Sequence, residues 1–160
     1  MAEWLQHAVD ALNALPVHEV VRDVEWIVPA VQTIHILAVS IVFSSSIIIL
    51  LRAFDALGGH WSIARWQRRV EPWTVVALLV LLLSGVVMIL AEPERELLNN
   101  LFQIKMPLAV IAALITFGLG RMIERSPGER ASAGIKIIAL LLPLIWAVIM
   151  GLGRWIAYAG

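Results

Sequence analysis

The sequence predicts an all-α integral membrane protein: a four-helix bundle preceded by an amphipathic interfacial helix. Of its 160 residues, 61% are hydrophobic and only 15% are charged, whereas soluble domains contain about 45–50% apolar and about 25% charged residues. The excess lies in four runs, each about as long as the roughly 20 apolar residues that cross a bilayer. The chain contains no cysteine, which excludes disulfides, thiolate metal sites and iron–sulfur clusters.

Residues 2–15 are predicted to form the amphipathic helix. Leu5 and Leu12 are among the apolar side chains that recur at helical spacing, while Glu3 and Asp10 lie on the opposite face. The segment is too short and too polar to cross a bilayer, so we expect it to lie in the membrane interface. Pro16 is predicted to end it, because proline breaks a helix interior.

The first predicted span covers about residues 27–51 and carries no formal charge. Pro29 is expected to lie in its first turn or to kink its start. His35 lies roughly eight residues into the run, about 12 Å deep at about 1.5 Å per residue. Because ionisable groups at that depth are costly and usually face protein or water, we expect His35 either to have a hydrogen-bond partner or to bind a ligand.

The other three predicted spans cover about residues 72–90, 103–122 and 133–158. Pro72 suits the first turn of the second span, and Ser84-Gly85 provides a small surface for close helix packing. Lys105 lies just inside the third span, and Arg154 lies near the end of the fourth.

A short connection, residues 91–100, joins the second and third spans. Pro93 and the acids Glu92, Glu94 and Glu96 predict one or two helical turns there, with the acids near the positive end of the helix dipole. No segment resembles a linker, so the chain is expected to be a single four-span domain over residues 1–160.

The distribution of basic residues predicts the topology. Eight lie in or beside the first-to-second and third-to-fourth connections: Arg52, Arg65, Arg68, Arg69, Arg121, Arg125, Arg130 and Lys136. Four lie on the other side: Arg22, Arg95, Lys105 and Arg154. The positive-inside rule therefore puts both termini outside, which is the periplasm for the bacterial inner-membrane protein that we expect.

With this topology, four polar residues are expected to converge below the outer interface: Gln32, His35, Lys105 and Arg154. Such a site suits the propionate edge of haem b, a quinone head group, an anion or a metal with His35 as its ligand. In the alternative interpretation, His35 is a neutral imidazole hydrogen-bonded between helices. Lys105 and Arg154 would then extend to the outer headgroups.

The remaining polar residues are interpreted as structural. The serines of the first span are expected to serve helix packing: Ser40, Ser44, Ser45 and Ser46. Three histidines outside the spans are expected to be solvated, with the first two as candidates for a periplasmic metal site: His7, His18 and His60. Trp146 is expected in the core. Because polarity within the spans lies mainly in the outer half, the pattern argues against transport.

A set of short motifs resembles a known family pattern. They are Pro29, Gln32, His35 and Leu37 at the start of the first span, Leu51-Arg52 at its end, Pro72-Trp73-Thr74 and Ser84-Gly85 in the second, Asn99, Phe102, Ile104, Lys105 and Met106 opening the third, and Gly153 to Tyr158 ending the fourth. The chain resembles a family of uncharacterised bacterial four-span membrane proteins, a domain of unknown function, over nearly its whole length.

The resemblance extends more distantly to two characterised membrane families. The histidine of the first span and the lysine opening the third are similar to the copper-resistance D membrane domain and to the haem-b-binding membrane protoporphyrinogen oxidase, which implies a haem-linked redox role. The chain departs from the nearer family's pattern by Leu50 in place of aspartate, and at about Gly120 in place of histidine. Since His35 is the only histidine inside a predicted span, a bis-histidine haem within one subunit is not expected.

The leading functional hypothesis is a non-catalytic or auxiliary subunit that supports a periplasm-facing redox or membrane complex, with haem or quinone near His35. The alternatives are a haem-b-dependent membrane oxidoreductase and a copper or small-solute permease. Expected partners are the lipid bilayer and other membrane or periplasmic subunits, or a second copy of the chain. A net charge of zero gives no reason to expect nucleic acid.

Overall fold

The computed structural model describes residues 2–58, 60–126 and 130–159, with side chains described from residue 3 to residue 156. Its helices are α1 (Ala2–Asn13), α2 (Pro16–Asp23), α3 (Ile27–Ala53), α4 (Ile63–Ala91), α5 (Pro93–Leu97), α6 (Asn100–Arg125) and α7 (Ala133–Ala159). No strand occurs among the described residues. The predicted all-α class is therefore confirmed, and so are the short helical turns between the second and third spans.

Helices α3, α4, α6 and α7 are each long and apolar enough to cross a membrane. α3 packs against α4 and α7, α6 packs mainly against α7, and a lighter contact between α4 and α6 closes the bundle. The short helices α1, α2 and α5 pack together at one end, called the cap end below. At the opposite end, called the loop end, α3 and α6 end and α4 and α7 begin.

The bundle has a core of small and branched side chains and an apolar outer surface. Core residues include Ala38, Val42, Ala77, Ala112, Ala139 and Trp146, and the alanines allow close approach of helices. Large apolar side chains point outward from all four long helices, among them Leu37, Leu79, Leu83, Leu114 and Leu144. Soluble proteins rarely expose so much continuous apolar surface. The chain is therefore a multi-pass membrane protein.

Helix α4 begins nine residues before the predicted second span. The Ser62 side chain caps it by accepting a hydrogen bond from the Arg65 amide at 3.3 Å. Gln67, Val70 and Thr74 are buried at helical spacing, while the arginines between them are exposed. The prediction that Pro72 lies in the first turn is wrong. At 29 residues, α4 is about 43 Å long, which exceeds the roughly 30 Å thickness of the hydrocarbon core.

The predicted helix over residues 2–15 is part of a larger cap. Leu15 is extended, and Pro16 opens α2 instead of only ending α1, in the first-turn position that proline favours. His18 on α2 is buried, with Nδ1 2.7 Å from the carbonyl oxygen of Leu90 near the end of α4. The expectation that His18 is solvated is therefore wrong. Leu5 and Val9 are buried where α1 packs against α5 and α2.

A buried arginine holds the turn between α3 and α4. Arg52 is 5% exposed; its Nε donates to the Trp61 carbonyl at 2.7 Å, and it pairs with Asp55 at 2.5 Å. Asp55 has a φ of 59°, a left-handed conformation that aspartate tolerates better than most residues. Arg52 therefore fixes the loop end of the bundle in addition to providing a topology signal.

Candidate functional site

His35 is half-buried on α3 and bonds to the neighbouring α4. Its Nδ1 lies 2.8 Å from the Ser84 hydroxyl oxygen, and this hydroxyl lies 2.6 Å from the Val80 carbonyl oxygen. A hydroxyl has one hydrogen to donate. Because that hydrogen is directed to Val80, we assign the proton of the His35–Ser84 bond to Nδ1. In the neutral imidazole, Nε2 then carries a free lone pair.

Ser84 was expected only as a packing residue, and its role as the partner of His35 was missed. The following Gly85 borders the same ring, since a Cβ there would lie 3.9 Å from Cε1 of His35. Cε1 is bonded to both ring nitrogens, so a larger side chain at this position would cover the edge that leads to Nε2. The small pair Ser84-Gly85 therefore both orients the imidazole and leaves part of it uncovered.

Lys105 on α6 lies close enough to His35 for its charge to act on the imidazole. Its ammonium extends towards α7, where a Cβ at Gly153 would lie 3.5 Å from Nζ, and Nζ lies 5.8 Å from the centroid of the Phe102 ring. The structure therefore brings His35 and Lys105 into one electrostatic neighbourhood between α3, α6 and α7.

Glu96 on α5 is a further member of this neighbourhood, and the sequence reasoning did not single it out. It is buried at the cap end. Burial raises the pKa of its carboxyl above the ordinary value, while the charges of Lys105 and Arg95 act in the opposite direction and Glu92 adds a smaller upward effect. Arg95 itself pairs with Glu92. Lys105 thus interacts electrostatically with both the His35 imidazole and the buried Glu96 carboxyl.

The other two predicted site residues, Gln32 and Arg154, are more exposed than His35 and Lys105. Gln32 is exposed on the surface of α3, although it is only three residues before His35. Arg154 is exposed on α7, one residue after the glycine that Lys105 contacts. The structure thus brings His35 and Lys105 into one neighbourhood and places Gln32 and Arg154 on the exposed surface of their helices. A cofactor-binding role for any of the four stays a prediction.

The described residues contain no group of three or more histidine, cysteine, aspartate or glutamate side chains that could hold a metal ion. A metal at His35 would therefore need ligands of another kind. His7 is exposed, whereas His18 is buried and bonded to Leu90.

A second polar region lies towards the loop end of the bundle, where little polarity was expected. Ser45 and Ser46 of α3 and Gln67 and Thr74 of α4 are all buried there and line a common cavity. Because α4 is helical from Ile63, it brings Gln67 into the bundle, so buried polar residues are not confined to the end of the bundle that carries His35. The other two serines, Ser40 and Ser44, are exposed and do not serve packing within the bundle.

Comparison with protein families matches residues 26–159 to DUF6644, described as a family of unknown function. The match covers α3 to α7 and agrees with the predicted resemblance to an uncharacterised family. No curated protein and no solved structure matches the chain. The comparisons give no support to the more distant similarity to the copper-resistance D domain or to the membrane protoporphyrinogen oxidase.

Proposed function

The chain belongs to the DUF6644 family, whose function is unknown, and we propose a role from the geometry of its site. The protein is an auxiliary subunit of a membrane redox complex, and it binds a quinone-type head group beside His35 and Lys105. The observation that carries this proposal is the bond from His35 to Ser84, because it leaves Nε2 as a hydrogen-bond acceptor in the neighbourhood of a lysine.

The donors and acceptors of the site fit both redox forms of such a ligand. The Lys105 ammonium offers only donors, which suits a quinone carbonyl. Nε2 of His35 offers a lone pair, which suits the hydroxyl of the reduced form. A bound quinone would supply two-electron, two-proton chemistry, while His35 and Lys105 would position its oxygens. The buried carboxyl of Glu96, whose pKa burial raises, lies within electrostatic range of Lys105.

Haem b is the second candidate, and the same bond favours it. A histidine that ligates a metal usually donates its other ring N–H to a neighbouring acceptor, as His35 does to Ser84. Lys105 would then pair with a propionate. The chain would then supply one histidine ligand to the haem iron, since His35 is the only histidine in the four long helices.

For the topology, we propose that the cap end faces the periplasm of a bacterial inner membrane. The support is the excess of arginine and lysine at the loop end, which the positive-inside rule assigns to the cytoplasm. Alkaline phosphatase fused after residue 160 is expected to be active, because it folds only when exported. A fusion within the 54–62 connection should be inactive, and the reverse pattern would contradict this orientation.

The binding proposal is tested on protein purified from membranes in mild detergent. Organic extracts of the wild type are expected to contain quinone in proportion to protein. His35→Ala and Lys105→Gln should each lower this content about tenfold, the effect of losing about 1.4 kcal/mol of binding free energy. His7→Ala is the matched control, because His7 is an exposed histidine on α1.

A reduced-minus-oxidised visible spectrum of the same samples separates the two candidates. A sharp haem b band that disappears in His35→Ala would show that the ligand is haem and not quinone. If folded wild-type protein shows neither quinone nor haem, the cofactor proposal is wrong, and a scaffold role without a cofactor remains.

A further inference from the structure

The core of the bundle contains a cavity of about 30 Å³ between α3, α4, α6 and α7. It lies towards the loop end, away from His35, so it is separate from the site proposed above. A cavity needs roughly 10–15 Å³ to hold a water molecule. Six polar residues line it: Ser45, Ser46, Gln67, Glu71, Thr74 and Thr116.

Three of the lining hydroxyl groups have their hydrogens committed to backbone carbonyls. Thr74 donates to Val70 at 3.0 Å, Thr116 donates to Ala112 at 2.8 Å, and Ser46 donates to Phe43 at 2.6 Å. Each oxygen can still accept, because a hydroxyl has two lone pairs. The three hydroxyl oxygens can therefore coordinate a cation in the cavity or accept hydrogen bonds from water.

Glu71 gives the cavity a negative charge. It is half-buried on α4, and the residues that line the cavity include no lysine, arginine or histidine. In the part of the chain that the structure describes, no basic side chain forms an ion pair with it. None of the residues that line the cavity provides a countercharge to this carboxylate.

Gly120 on α6 has no side chain, and this leaves room for the Gln67 amide beside Glu71. A Cβ at Gly120 would lie 2.8 Å from Nε2 of Gln67 and 3.9 Å from a carboxylate oxygen of Glu71. Gln67 is buried, and its amide forms no hydrogen bond to another described residue. The carbonyl oxygen of Gln67 is thus available to coordinate a cation or to accept a hydrogen bond.

From these observations we propose that the cavity binds a monovalent hard cation of the size of sodium, held by the Glu71 carboxylate and by hydroxyl oxygens of Ser46, Thr74 and Thr116. Carboxylate and neutral oxygen ligands without nitrogen or sulfur suit hard cations. One carboxylate balances one positive charge. The small volume favours a compact ion that keeps one or two waters.

The experiment measures thermal unfolding of the purified protein in sodium chloride against choline chloride at equal ionic strength. A ligand that binds only the folded state stabilises it in proportion to the logarithm of its concentration. Sodium at about ten times its dissociation constant should therefore raise the unfolding midpoint by about 3–5 °C. Glu71→Gln, which keeps the shape of the side chain, should abolish the shift. Glu124→Gln should retain it, because Glu124 is exposed and does not line the cavity.

Two variants of Thr116 keep the proposal testable if Glu71→Gln fails to fold. Thr116→Ser keeps the hydroxyl oxygen and should keep the sodium shift, whereas Thr116→Val has the same shape without that oxygen and should reduce it. The proposal is overturned if wild-type protein unfolds at the same temperature in both salts. It is also overturned if folded Glu71→Gln retains the full shift, or if Thr116→Val retains as much of it as Thr116→Ser.

Discussion

Replacing Ser84 by alanine tests the hydrogen bond on which the proposed site depends. The substitution removes the acceptor of the His35 Nδ1 proton and leaves the backbone of α4 intact, since the Ser84 hydroxyl only adds a second bond to the Val80 carbonyl. An interhelical hydrogen bond within a membrane contributes about 0.6–1.7 kcal/mol. A buried donor without an acceptor costs about 1–3 kcal/mol, and the half-exposed ring relieves part of that cost. We therefore expect the free energy of unfolding to fall by about 1–2 kcal/mol.

Ser40→Ala is the matched control for this substitution. Ser40 also donates to a backbone carbonyl four residues earlier, that of Ile36 at 2.8 Å, but it is exposed. Its replacement should change stability by less than about 0.5 kcal/mol. The assay is reversible unfolding in mixed detergent micelles, followed by tryptophan fluorescence. A double-mutant cycle of Ser84→Ala with His35→Ala should give a coupling of about 0.5–2 kcal/mol. Equal losses for Ser84→Ala and Ser40→Ala, with no coupling to His35, would refute the assigned bond.

Three further predictions use the same unfolding assay. Arg52→Gln should cost about 2–3 kcal/mol because it removes charge-assisted bonds of a buried guanidinium, whereas the exposed Arg68→Gln should cost less than about 0.5 kcal/mol. Burial raises the pKa of Glu96 in the folded state. Its contribution to the free energy of unfolding is therefore full below the ordinary glutamate pKa of about 4.3, and it is lost as the pH rises through the folded-state pKa. Glu96→Gln should remove this pH dependence and the exposed Glu94→Gln should not. Trp146→Phe should be tolerated far better than Trp146→Ala, which should cost about 3–5 kcal/mol, because the buried indole N–H of Trp146 has no partner among the described residues for phenylalanine to lose.

The four spans could be predicted because the length of an apolar run is visible in the sequence. The start of α4 could not be read from composition, since Arg65, Arg68 and Arg69 resemble a solvated loop. The apolar residues Ile63, Trp66 and Val70 recur at helical spacing and pack in the core, and this periodicity was a usable signal. A helix in the headgroup region can be charged on one face and apolar on the other, so periodicity was the better guide there.

The candidate site was only partly predictable because α3 is apolar on all sides. Such a helix carries no sequence signal for which face meets protein and which meets lipid, so the exposure of Gln32 beside the half-buried His35 depends on helix rotation. The pairing of His35 with Ser84 depends on how α3 and α4 are aligned along their axes. The inward position of Glu96 depends on the packing of α5 under α1. These are tertiary features that residue spacing within one helix does not contain.

The two polar regions of the bundle should act independently of each other. Ser84, which bonds His35, lies 13 residues after Glu71 on the same helix, or about 20 Å along its axis. Core residues between these levels are apolar, including Ala77 and Ala38. Mutations more than about 7–10 Å apart with no shared partners usually add to within about 0.5 kcal/mol, so the stability effects of His35→Ala and Glu71→Gln should sum in the double variant. A coupling above about 1 kcal/mol would mean that a polar path joins the two regions through the core. Such a path would favour the permease over the auxiliary subunit, because transport requires polar contacts across the whole bilayer, whereas separate binding sites at the two ends do not.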